Sequence, residues 1–432
     1  MRRADISWVE ALATAALFQR SVRVFSRLTA NEWEIAVRKI KRAIFLSGGG
    51  PAVGLSIGVL KRLQQEPDIT FDIWSSACIG AWLSVAWHQA DEGQELDQTI
   101  GFFRKIFRPA SVYDRFPIAS AFAPDFFSDF ANRLSYFFNP DSYQGLIVPE
   151  AMAEAAEHVR HFMGNPKYWT PHNLNDVLLN GILAVNPLSR FMVGAMYQTK
   201  TKGLAKIYSP DSMFLDRLDF DRLYQPDKPA LFHNAYNLTQ QRLELFTNKP
   251  DHYNLPQMNA QTLCACSALP FIEEPVEING DTYCEGATVD TVNFFDFLRH
   301  HPDVEEVWVS RILDLKQVRQ PENLYDALNN LIMLFAASAS EDAVKAFKRE
   351  VAESGRKIDI IEIPVSPHIN YDWTWENLDR GIDDGYQATD DMIASYRSRQ
   401  LREHPVRDLR RRAARVLPDL HFPLGGPRPR LA

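Results

Sequence analysis

Ser76-Ala77-Cys78-Ile79-Gly80 sets a thiol between residues small enough for a sharp turn from strand to helix. A reactive side chain held at such an apex needs little bulk two positions before and two after it, and Ser76 and Gly80 meet that condition. A helix starting beside it would turn its positive end toward the sulfur and favour thiolate. Taken alone, Cys78 reads equally as a small buried core residue. Upstream, Gly48-Gly49-Gly50 lets backbone N–H groups converge without side-chain obstruction where a helix begins. Such amides suit the oxyanion of acyl transfer, where one donor is worth about 3 kcal/mol, and they suit a phosphate equally. A dinucleotide fingerprint fails because Val53 stands where the third glycine belongs, and a Walker loop fails for want of Gly-Lys-Ser/Thr. Far downstream, Tyr283-Cys284-Glu285-Gly286-Ala287 offers a carboxylate on a loop, readable as a general base or as a plain turn residue.

These groups need a scaffold. Arg42–Ser47 predicts a short buried strand running into the glycines, and Val53–Gln65 a helix with Leu55, Val59, Leu60 and Leu63 near helical period. Thr70–Ser75 predicts a second strand and Ala81–Ala90 a second helix, so two strand–turn–helix units open a parallel α/β fold. Leu231–Phe246 predicts a hairpin, Val276–Tyr283 a strand pair, Val304–Ile312 and Lys357–Val365 further strands, and Asn323–Ala352 and Glu376–Arg397 long helices. Residues 101–190 lack regular alternation and hold ten of the 27 phenylalanines between Phe102 and Phe138, which predicts an inserted helical cap whose rings are either the wall of an acyl-chain pocket or ordinary cap core.

A chain of 432 residues, 46% hydrophobic, can bury a large core without disulfide or metal. Its four cysteines form no CxxC pair, and Cys264-Ala265-Cys266 has no histidine pair at ligand spacing, so a reducing cytoplasm is the expected compartment. The net charge of −8 argues against a nucleic-acid partner. Three parts are expected: an amphipathic helical extension over 1–39, a catalytic domain over 40–397, and a basic tail over 398–432. From Arg397 onward ten arginines face only Glu403, Asp408 and Asp419, a solvated tail or a patch drawn to anionic lipid. Residues 6–28 carry Val9, Leu12, Leu17, Val24 and Leu28 on one side; packing on the domain is the first expectation and peripheral membrane contact the alternative.

The ordered set of glycine loop, elbow and late acid resembles the patatin-like phospholipases. GVLKRL after the glycines, SALPFIEEPVEINGDTY before the acid and the 231–246 hairpin extend the likeness over about residues 40–312, more loosely to 397. The resemblance implies a three-layer α/β/α sandwich with a mostly parallel sheet, and a lipid or acyl-ester substrate. It implies a two-residue dyad, with Cys78 on the family's nucleophilic serine, Glu285 on its aspartate, Gly48, Gly49 and Gly50 as oxyanion loop, and Ser76, Gly80, Gly286 and Ala287 as supports. No cofactor and no metal is implied. The departures are the cysteine, the glutamate and Ser76 for the first elbow glycine. Ala52 also stands for the usual basic residue and Val53 for the next glycine, with Gly54 as its stand-in.

A thiol, with pKa about 8.5, needs less help from a base than a hydroxyl does. The expectation is a neutral thiol that hands its proton to Glu285 as it attacks. Thioester intermediates exchange with other acceptors, so an acyltransferase or cyclising enzyme is the first alternative. A serine lipase carrying Ser-to-Cys, or a non-catalytic acyl-binding relative, are the others. His233 and His368 are expected to be structural.

Overall fold

In a computed structural model, residues 40–115, 126–210, 212–365 and 369–403 are described. The amphipathic stretch at 6–28, the tail from 404 and His368 lie outside them. The chain divides into two units. The first comprises residues 1–120, 211–267 and 277–432, the second 121–210 with 268–276. The cap was expected at about 101–190; the division falls instead after Ser120 and Pro210, and helix Glu95–Ile106 belongs to the first unit.

The main sheet has eight strands: β1 (Arg42–Leu46), β2 (Ile73–Ser76), β3 (Ala230–Asn237), β4 (Arg242–Thr247), β5 (Val276–Ile278), β6 (Asp281–Glu285), β7 (Glu306–Ser310) and β8 (Asp359–Ile363), all in the first unit except Val276 at the start of β5. Their order is β8-β7-β1-β2-β3-β6-β5, with β4 also on β3. The five strands from β8 to β3 run parallel, while β4 and β6 run antiparallel to β3. β1 and β7 are buried along their whole length, as central strands covered on both faces must be.

Helices cover both faces. On one, Phe45, Val307, Val309 and Phe232 pack with Val344, Phe347 and Val351 of helix α4 (Leu324–Glu353). On the other lie α1 (Gly54–Leu63) and α5 (Trp375–Glu403), with Ser56 of α1 hydrogen-bonded to Ser310 at 2.8 Å and Tyr396 of α5 donating to Glu306 at 2.9 Å. Glu306 also meets the Arg42 guanidinium at 2.6 Å and the Trp308 indole at 2.7 Å, so its buried charge is paired and hydrogen-bonded.

α1 and α5 touch backbone to backbone through Gly54 and Gly58 on one helix and Gly381 and Gly385 on the other. A Cβ at Gly58 would overlap the Ile382 carbonyl oxygen and stand 2.6 Å from the Tyr386 nitrogen. Gly58→Val is therefore expected to lower unfolding free energy by roughly 3 kcal/mol or more. Gly101→Ala, with nothing within 4 Å of the added methyl, should change it little or raise it. Urea unfolding of both variants checks this.

Phe102, Phe103 and Phe107, expected as cap residues, are core of the first unit; Phe102 stacks on Trp82, 6.4 Å between ring centroids. Helix Glu95–Ile106, which carries Phe102 and Phe103, packs on the helix that follows Cys78. The second unit holds helices Phe126–Phe138, Pro149–Gly164 and Pro187–Tyr197, a helix from Pro171 to Leu183, and strand Gly203–Ala205 parallel to Phe271–Glu273.

Candidate active site

Strand register carries the site. β4 occupies one edge of β3 from Phe232 to Asn237, so β2 and β6 share the other edge in succession. Ser76, at the end of β2, pairs with His233, and two residues further along β3 Ala235 pairs with Glu285, at the end of β6. The chain leaving β2 thus reaches Cys78 where β6 delivers Glu285. The Cys78 thiol and the Glu285 carboxylate are close enough that each shifts the other's ionisation.

Cys78 is the residue before α2 (Ile79–His88), with φ 48° and ψ −124°. Left-handed φ in a residue other than glycine costs of order 1–3 kcal/mol and persists only where neighbours hold it. Here the Cys78 N–H donates to the Cys266 sulfur at 3.1 Å, and the Ile79 N–H points to the Cys78 sulfur. Gly80 has no room for a Cβ, which would overlap the Leu46 carbonyl oxygen. Ser76 is tolerated because its hydroxyl donates to the Phe232 carbonyl at 2.9 Å.

The glycine loop meets both partners. A Cβ on Gly48 would stand 3.0 Å from the Cys78 Cβ and 3.1 Å from the Ala287 Cβ. Gly48 donates its N–H to the Thr291 carbonyl at 2.9 Å, tying the loop to the segment after Glu285. That N–H is committed, whereas the N–H groups of Gly49 and Gly50 make no hydrogen bond among the described residues. Gly50 has φ 54°, and its α-carbon lies beside the Tyr371 hydroxyl. Gly54, a sequence candidate for this turn, serves the α1–α5 contact instead. Beyond Gly286-Ala287, the Asp290 carboxylate accepts the N–H groups of Asn293 and Phe295, both at 2.8 Å, which fixes the loop behind the acid. Gly286 packs against Asn234, where a Cβ would come within 2.5 Å of the side-chain oxygen.

Burial pushes the Glu285 carboxyl up to about 7, the Cys78 thiol working against it. Burial first, then the Glu285 carboxylate and Cys266, push the Cys78 thiol well above its ordinary range, with the Ile79 N–H pulling the other way. Cys78 remains partly exposed, although protein surrounds it closely enough for desolvation to dominate. A neutral thiol beside a carboxylate poised near neutrality is the result.

Two neighbours escaped the sequence reading. Cys266, on α3 (Ala260–Cys266), is fully buried beneath the elbow, and Tyr371 reaches the glycine loop from the far end of the chain. Neither has a motif; only the fold brings them near. His233 is buried, bonds with Thr262 Oγ1 at 3.1 Å and stacks on Phe246; burial pushes it down to about 3, so it is neutral.

Gly48→Ala is expected to cut turnover at least tenfold while leaving the thiol present, because the new methyl presses on Cys78 and Ala287 together. Thiol titration alongside kcat/KM checks that the site is displaced and not lost.

A thiol at a strained strand–helix apex, a buried carboxylate and glycine amides without hydrogen-bond partners among the described residues thus meet on a mostly parallel α/β sheet. The sequence model described as Patatin-like phospholipase matches residues 44–298, more than half of the chain, and the chain belongs to that family. Membership supports lipid acyl hydrolase activity as the general class. Among solved structures the chain is similar to VipD from Legionella pneumophila, at 17% identity and a TM-score of 0.36, over 83% of this chain and 67% of that one. Among curated proteins, none matches.

Proposed function

We propose that the protein hydrolyses carboxylic ester or thioester bonds of lipids through a Cys78–Glu285 dyad. The observation that carries this reading is a partly exposed thiol on a left-handed apex, set beside a buried carboxylate with which it interacts. As the Cys78 sulfur attacks the carbonyl carbon, its proton passes to Glu285 and the carbonyl oxygen becomes an oxyanion at the Gly49 and Gly50 N–H groups. Collapse of that intermediate breaks the acyl C–O bond of an ester or the C–S bond of a thioester, and Glu285 returns the proton to the leaving alcohol or thiol. Glu285 then takes a proton from water attacking the thioester, and the acid leaves with the thiol restored.

Incubation with an activated ester, read by intact mass, tests the reading. One acyl adduct on the wild type and none on Cys78→Ala is the expected result. No adduct on the wild type, or an equal adduct on the variant, overturns it.

A further inference from the structure

The second unit carries an apolar surface that its own fold leaves uncovered. Helices Pro171–Leu183 and Pro187–Tyr197 meet at a bend of 87°, and together they are apolar enough for a membrane span that neither makes alone. At 1.5 Å per residue each is about 15–20 Å long, short of the ~30 Å hydrocarbon core.

Each helix packs on its unit by one stripe and exposes another. Gly181 lies against Val159 and the Ala155 carbonyl of helix Pro149–Gly164. Gly194 and Phe191 face Tyr136 of helix Phe126–Phe138. On the opposite side of the second helix Leu188, Met192 and Met196, at four-residue spacing, are 70%, 61% and 58% exposed. Leu174, Leu178 and Ile182 repeat that spacing on the first helix and are exposed as well. Between Asp176 and Lys200 the sequence has one charge, Arg190. Beyond the second helix stand Lys200, Lys202 and Lys206, all exposed and none in an ion pair among the described residues. Folded water-soluble surfaces rarely leave apolar stripes of this extent open.

We propose that this bent helix pair docks on an anionic lipid surface, the apolar stripes entering the acyl boundary and the lysines meeting the headgroups. Helices satisfy their own backbone hydrogen bonds, as an apolar medium requires. A bent pair too short to cross lies in the boundary layer, and the lysine flank suits negative headgroups. The inference adds a docking surface to the lipid hydrolase reading and rests on it for the choice of lipid.

The full chain is tested by co-sedimentation with phosphatidylcholine vesicles, with and without phosphatidylserine, alongside turnover of a water-soluble short-chain ester. Two inserted side chains at roughly tenfold each make Leu188→Asp/Met192→Asp about a hundredfold weaker on vesicles. Lys200→Glu/Lys202→Glu should lose about tenfold on phosphatidylserine vesicles and little on phosphatidylcholine. Both variants should keep soluble-ester turnover and the wild-type melting temperature. If the aspartates unfold the unit, Leu188→Ser/Met192→Ser gives the same test with a smaller drop. Unchanged sedimentation of the apolar variants overturns the inference. So does a wild type that ignores vesicles and forms a dimer that the aspartates dissolve, since a second copy would then cover the face. Loss of ester turnover in the wild type with vesicle binding intact would strike the catalytic reading alone.

Discussion

Replacing Glu285 by glutamine is expected to lower kcat/KM by about a hundred- to ten-thousand-fold, the range that a positioned general base supplies. The amide keeps the shape and still accepts a hydrogen bond, but cannot take the proton. The pH profile should separate the two enzymes. Because burial raises Glu285 to about 7, wild-type kcat/KM should climb through that region as the carboxyl ionises and then level. The glutamine variant should lack that limb and rise only where the thiol ionises by itself, above the ordinary cysteine range. Stability should move the opposite way. The carboxyl's folded value lies above its ordinary 4.5, so the unfolded chain ionises first and native stability falls as pH rises from there to about 7. Glu285→Gln removes this loss: it should match the wild type below pH ~4.5 and exceed it by roughly 3 kcal/mol at and above neutrality. Kinetics and urea melts across pH, run on both proteins, check each half. A variant as active as the wild type and no more stable would remove Glu285 from the dyad.

Cys78→Ser is the second large effect, and its sign is informative. If the site is built around sulfur, serine should reduce kcat/KM by about a hundredfold or more. A base near pKa 7 is far weaker than an alkoxide, so it activates a hydroxyl much less readily than a thiol. The oxygen is also smaller and its bond to Cβ shorter, which draws it back from Glu285. Steady-state turnover of one soluble ester by wild type, Cys78→Ser and Cys78→Ala decides the matter, with the alanine variant setting the floor. A serine variant faster than the wild type would identify a serine enzyme's site holding a substituted nucleophile.

Much of the scaffold was legible in the chain because it is locally encoded. Arg42–Leu46, Ile73–Ser76 and Glu306–Ser310 are short runs of strand length, and the helices at Gly54–Leu63, Leu324–Glu353 and Trp375–Glu403 follow hydrophobic period. Cys78, Glu285 and the glycine loop could each be singled out because a tight elbow and a bare amide loop restrict which residues fit. The cap boundary was not legible. Phe102, Phe103 and Phe107 are as apolar as any cap residue, and only their packing against the helix after Cys78 assigns them to the main unit.

The sequence by itself therefore determined the residue types: one thiol between small neighbours, one late carboxylate, and glycines where side chains would collide. Tertiary structure alone decided their company. The succession of β2 and β6 along one edge of β3 sets the acid beside the thiol, Cys266 takes the strained N–H, and the Gly48 amide is drawn off by Thr291. The reason is physical: residue identity fixes what a group can do, whereas burial and register, which raise both pKa values, belong to contacts between segments far apart in the chain.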